Sequence, residues 1–120
     1  MRLAYILDLP YRLAICPDVS WFTGELVDAD FPRGAPVFAV EVRDWIDDGD
    51  EAEGRMAAKR ADYFAAGTQV VWDVDVLRDE RIHAYRANNP EHATVYRRGE
   101  IADAEPAVPG WRFPVDELFD

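Results

Sequence analysis

Val37-Phe38-Ala39-Val40-Glu41-Val42 is an apolar run interrupted by a single carboxylate. A run that is apolar at both alternating positions predicts a strand covered on both faces, because a strand with one wet face alternates polar and apolar residues. The next thirty residues set the architecture around it. Asp50 stands where a helix cap is expected, with Glu53 three residues on in the spacing of a capping box. The acidic first turn suits the positive end of the helix dipole. Gly67, after Ala65-Ala66, supplies a C-terminal stop. Gln69 to Val74 is a second apolar run. Strand, helix and strand at such short spacings predict a βαβ unit, whose crossover joins parallel strands.

Towards the N-terminus, residues 3–7 and 11–15 are apolar runs separated by Asp8-Leu9-Pro10, which predicts a strand pair. Val19 to Thr23 reads as a further strand after Pro17, a residue tolerated at a strand start. Gly24 to Pro36 is rich in Gly, Asp and Pro and reads as a loop. Towards the C-terminus, Arg81 to Arg86 and Thr94 to Arg98 alternate and are expected as outer strands around an Asn88-Asn89-Pro90 turn. Ala102 to Pro109 is expected as a loop. Trp111-Arg112-Phe113-Pro114 and Val115 to Phe119 form an aromatic tail, with Phe113, Leu118 and Phe119 as cover for the core. No repeat, low-complexity tract or linker divides the chain, so residues 1–120 are expected to form one α/β domain.

Bulk composition narrows the function. With 120 residues and 49% hydrophobic content, the chain can bury a core of its own. No apolar run approaches the roughly 20 residues of a membrane helix. The apolar start before Asp8 is too short for a secretory signal. A single cysteine, Cys16, allows no internal disulfide, and a cytoplasmic location is expected. The net charge of −11 argues against a nonspecific basic groove, because DNA affinity comes largely from phosphate neutralisation by Lys and Arg.

Lys59 is the only lysine in the chain. It falls in one stripe with Ala52, Met56, Tyr63 and Ala66, the spacing of an amphipathic helix face. An ammonium facing the sheet is costly unless an anion or a polar cavity meets it. Glu41 is on the strand just before this helix, so the two can meet. A carboxylate inside a two-sided buried run is itself rare unless paired or metal-bound. Arg43 lies two residues on and therefore on the same strand face. Asp18 opens a strand after proline. The plain structural alternatives are an ion pair of Glu41 with Arg43 or Lys59, and a turn-capping Asp18. His83 and His92 have no metal-ligand spacing. Cys16 has no histidine near it in sequence and reads as an ordinary buried thiol. Trp45 and Trp111 are expected to pack rather than to stack on bases.

Several stretches, taken in order, resemble the Uma2 (DUF820) proteins of the PD-(D/E)xK restriction-nuclease-like superfamily. They are Pro17-Asp18-Val19-Ser20-Trp21-Phe22, Val40-Glu41-Val42, Arg55-x-x-x-Lys59-x-x-x-Tyr63-x-x-x-Gly67, Val70-Val71-Trp72-Asp73 and the closing Val115-Asp116-Glu117-Leu118-Phe119. The resemblance implies a restriction-endonuclease-like mixed sheet with a βαβ core and a shortened N-terminal part. It implies a metal-dependent endonuclease that hydrolyses DNA phosphodiesters, with Mg²⁺ or Mn²⁺ held by Asp18, Glu41 and the backbone carbonyl of Val42. The superfamily lysine often stands two residues after the Glu. Here Arg43 occupies that place, and Lys59 on the helix is expected to serve instead. Asp44-Trp45 replaces the usual Ser-Pro-like turn. The expected catalytic set is therefore Asp18, Glu41, Lys59 and Arg43, acting on DNA. The alternative is a catalytically inactive domain of the same fold that binds a protein partner or forms a homodimer; strong acidity favours it.

Overall fold

The computed structural model describes residues 5–9, 12–15, 19–21, 34–43, 49–76 and 80–119. Strands β1 (Tyr5–Leu9) and β2 (Arg12–Ile15) form an antiparallel pair, as their two apolar runs predict. A second sheet contains β3 (Val19–Trp21), β4 (Phe38–Arg43), β5 (Val70–Asp75), β6 (Arg81–Arg86) and β7 (Asn89–Tyr96), side by side in that order. Helix α1 (Asp50–Ala65) connects β4 to β5, and these two strands are parallel. The other neighbouring pairs are antiparallel, so the sheet is mixed and the expected βαβ unit is its centre. Strands β8 (Ile101–Asp103) and β9 (Arg112–Pro114) pair separately, ahead of the short α2 (Asp116–Phe119).

Alternation along β4 and β5 divides the sheet into two unlike faces. Phe38, Val40, Val70, Trp72 and Val74 point to one side, where they join Ile82 and Ala84 of β6 and the C-terminal segment through Ala102, Ala104 and Val115. Trp111 stacks on Trp72 with ring centroids 5.4 Å apart, and Phe113, Leu118 and Phe119 pack on the same cluster. The aromatic tail is therefore core cover, as expected. The other face turns Ala39 and Val71 towards Tyr63 of α1. Glu41, Arg43 and Asp73 share the parity of Ala39 and Val71 and lie on this helix-covered face.

Helix α1 ends as the sequence predicts. Gly67 has φ of 109°, the Gly67 N–H donates to the Phe64 carbonyl, and the Thr68 N–H donates to the Tyr63 carbonyl. This is the paired hydrogen-bond pattern of a Schellman cap, with glycine supplying the left-handed residue. The start of the helix differs from expectation. Gly49 occupies the cap position with φ of 99°, Asp50 is already helical, and no side chain caps the first turn. The Glu53 N–H donates to the Gly49 carbonyl, while the Glu53 carboxylate is taken by Arg43, so the capping box does not form.

Three further expectations are corrected. Strand β7 starts at Asn89 and contains Pro90, so the turn is Ala87-Asn88 rather than Asn88-Asn89-Pro90. Proline is tolerated there because β7 is at a sheet edge among the described residues, where its missing N–H breaks no ladder. Strand β6 is interior, bonded to β5 and β7, and its buried Ile82 and Ala84 account for this. Ala102 and Asp103, expected in a loop, belong to β8. Val19 to Trp21 is confirmed as strand; residues 22–33, most of the expected Gly24 to Pro36 loop, lie outside the described residues.

Gly67 gives a direct test of the helix stop. A Cβ at this position would meet nothing within 4 Å, so the cost of adding one is conformational. Gly67→Ala is expected to lower unfolding free energy by about 1–2 kcal/mol in urea titration.

Candidate active site

Two carboxylates stand abreast on the face covered by α1. Glu41 of β4 and Asp73 of β5 are register partners, 5% and 2% exposed. Like charges on adjacent strands would repel, and each would be costly to bury alone. The fold divides the available cations between them.

Glu41 is met from the helix. The Lys59 Nζ lies 2.7 Å from Glu41 Oε1, and the Tyr63 hydroxyl donates to the same oxygen at 2.6 Å. Lys59 and Tyr63 are four residues apart, one turn, which places both over the same point of β4. The stripe read from the sequence is thus the face that docks: Ala52 and Tyr63 are buried, and Met56, Lys59 and Ala66 are half-buried. The Lys59 amine is not out in solvent, and the pairing of Glu41 with Lys59 is realised.

Asp73 is met from two sides. Arg43 grips it with both prongs, Nε to Oδ1 at 2.8 Å and Nη2 to Oδ2 at 2.7 Å. Arg60, on the opposite flank of α1 from Lys59, approaches Oδ2 at 3.3 Å and lies over the Tyr85 ring at 4.1 Å. Arg43 also binds Glu53 in the first turn of the helix. The hydrogen bonds that Arg43 donates to Asp73, and then to Glu53, hold its guanidinium protonated still more firmly than usual. In return, the Arg43 hydrogen bond holds the Glu53 carboxyl below the usual carboxylate range, against the upward push of burial. Arg43, Glu53, Asp73, Asp75, His83 and Tyr85 surround a recess of about 230 Å³ at this rim.

Lys59 thus meets Glu41, as the helix stripe predicts, whereas Arg43, expected beside Glu41, turns to Asp73 on the neighbouring strand. The signal was present: Asp73 breaks Val70-Val71-Trp72-x-Val74 in the way Glu41 breaks its own strand. Arg60 gave no comparable signal, since an arginine beside Lys59 on a helix usually faces water. Asp18, Cys16 and Trp45 lie outside the described residues. Val19, the residue after Asp18, pairs with Val40, the residue before Glu41. His92 is exposed on β7, while His83 is on β6 beside the Asp73 recess. Among the described residues, no three His, Cys, Asp or Glu side chains are grouped to hold a metal ion.

This arrangement can be set against known proteins. The family model for Uma2, described as "Putative restriction endonuclease", matches residues 1–116. This chain belongs to the Uma2 family. A solved structure from Anabaena variabilis ATCC 29413, described as a putative nuclease belonging to DUF820, superposes with a TM-score of 0.71 at 17% sequence identity. The match covers 98% of this chain and 64% of that one, so the present chain spans less than two thirds of that protein's length. The likeness is one of fold: this chain has the fold of that DUF820 protein. No curated protein matches. Among the described residues, no helix is long and apolar enough to cross a membrane.

Two measurements probe the Asp73 half of the site. Arg43→Met leaves Asp73 buried with Arg60 alone and is expected to cost about 3 kcal/mol in urea unfolding; adding Asp73→Leu should recover most of it. Glu53→Gln should lower the melting temperature at neutral pH. Because the native Glu53 carboxyl titrates below its unfolded value, its contribution is present above the unfolded pKa and lost as pH falls through the folded one. The gap between Glu53→Gln and the parent should therefore close on acidification.

Proposed function

We propose that this Uma2 chain is a metal-dependent endonuclease that hydrolyses DNA phosphodiesters. The observation that carries the reading is the 2.7 Å contact between its only lysine and a buried carboxylate in the second half of strand β4. A buried ion pair adds little to stability over apolar residues of similar size, so a functional reason for keeping it is the economical one.

The donors available suit a hard divalent ion, which takes carboxylate and carbonyl oxygens. Asp18, Glu41 and the backbone carbonyl of Val42 would hold Mg²⁺ or Mn²⁺. Glu41 lies on the helix-covered face, and Asp18 is bonded in the chain to Val19, whose partner Val40 adjoins Glu41. Held there, such an ion would supply Lewis acidity for a phosphoryl oxygen and for the attacking water. Lys59 orients the attacking water and offsets the negative charge that develops on the phosphoryl oxygens. Arg43 cannot act as a base, because guanidinium stays protonated. It has five N–H donors, and its contacts with Asp73 and Glu53 draw on Nε, Nη1 and Nη2. Contact with a phosphate oxygen is within its remaining capacity.

The second reading is an inactive domain of the same fold that engages a protein or a second copy. The net charge of −11 favours it, and so do the exposed Asp50, Glu51 and Glu53 at the start of α1, next to the site. A plasmid-nicking assay with Mg²⁺ or Mn²⁺ separates the two. The nuclease reading predicts cleavage that falls at least about 100-fold in Asp18→Ala, Glu41→Ala and Lys59→Met. A folded parent protein that leaves the plasmid intact favours the inactive domain, and equal cleavage by parent and variants identifies a contaminant.

A further inference from the structure

We propose that Tyr63 is a positioning residue for the metal carboxylate: its hydroxyl fixes the orientation of Glu41 for ion binding. The proposal rests on the nuclease reading and adds to it a residue that reading does not need. Tyr63 is 0% exposed, the best buried large side chain of α1, and its hydroxyl donates to Glu41 Oε1 at 2.6 Å. A phenol this deep requires a partner for its O–H. Here the partner is a carboxylate, which makes the bond short and charge-assisted.

The two donors described on Oε1 differ in stiffness. Lys59 reaches it on a flexible four-carbon stem and remains half-buried, so it can leave for a phosphate or a water. Tyr63 cannot leave, because its ring is packed against Ala39 and Val71 on the sheet. The Schellman cap at Gly67 begins from the Tyr63 carbonyl, which accepts from the Thr68 N–H at 3.0 Å, so its backbone is fixed as well. Tyr63 thus holds the carboxylate in place while Lys59, on its longer stem, can exchange one partner for another. Hydrogen bonds that orient a ligating carboxylate are worth about 10–100-fold in metal affinity.

The test is a Mn²⁺ titration by calorimetry on the full chain, comparing the parent protein with Tyr63→Phe. The substitution keeps the ring in its slot and removes only the hydroxyl. We expect Mn²⁺ to bind Tyr63→Phe about 10–100-fold more weakly. Nicking by the variant should recover as Mn²⁺ is raised, which separates metal affinity from turnover. In a Glu41→Ala background, Tyr63→Phe should cause no further loss, because the oxygen that accepts its O–H is already gone. If Tyr63→Phe is too unstable to titrate, the Mn²⁺-induced rise in its own melting temperature reports the same affinity through linkage. Equal Mn²⁺ affinity in the parent and Tyr63→Phe overturns the positioning role and leaves the nuclease reading intact. A parent protein that binds no Mn²⁺ overturns the nuclease reading, and this role with it.

Discussion

Two carboxylates side by side on neighbouring parallel strands, both sealed under one helix, are the constraint around which the rest of this fold is arranged. Glu41 and Asp73 are register partners, so β4 and β5 cannot pair without bringing the two charges together. The solution is a partition of cations: Lys59 goes to Glu41, and Arg43 with Arg60 goes to Asp73. Lys59 and Arg60 are consecutive in sequence and leave α1 on different flanks, so the helix straddles the pair and cannot rotate without breaking one side. Arg43 adds a third tie by joining Asp73 to Glu53 in the first turn. The same contacts that make the carboxylates tolerable therefore fix the rotation and position of the helix over the sheet.

The two faces divide the work. On the far face, Phe38, Trp72 and Trp111 form an aromatic cluster closed by the C-terminal segment, and this supplies the apolar burial. The near face is left to the charged groups and to the small apolar patch of Ala39, Val71 and Tyr63. The apolar burial is mainly on the first and the candidate site on the second, an arrangement in which the site can carry costly polar groups without dissolving the core.

Long, strongly patterned features were legible in the sequence, and short or relational ones were not. The six-residue strands β4 and β5, the sixteen-residue helix and its Gly67 stop follow from local pattern, and so does the meeting of Lys59 with Glu41, since helix spacing fixes which side chains share a stripe. The three-residue strands β8 and β9 are too short to show a period, and Ala and Asp in β8 have low strand preference. Pro90 looked like turn chemistry and is instead tolerated by an edge position that only the strand order reveals. Glu53 had the spacing of a capping residue, but Arg43, thirty residues before Asp73, recruits it. Pairings of that kind depend on register between strands, which one sequence does not state. The membership of the chain in the Uma2 family, by contrast, was carried by motifs from Pro17 to Phe119, and the matched span of residues 1–116 takes in the N-terminal strand pair as well.

The central claim is that the buried Glu41–Lys59–Tyr63 cluster is kept for chemistry and not for stability. The most direct measurement is urea unfolding of a triple variant, Glu41→Leu with Lys59→Met and Tyr63→Phe, in which apolar side chains of similar size replace the cluster. The account predicts unfolding free energy equal to or above that of the parent, together with loss of nicking. A loss of about 3 kcal/mol or more would contradict it, by showing that these three side chains hold the fold together rather than the substrate.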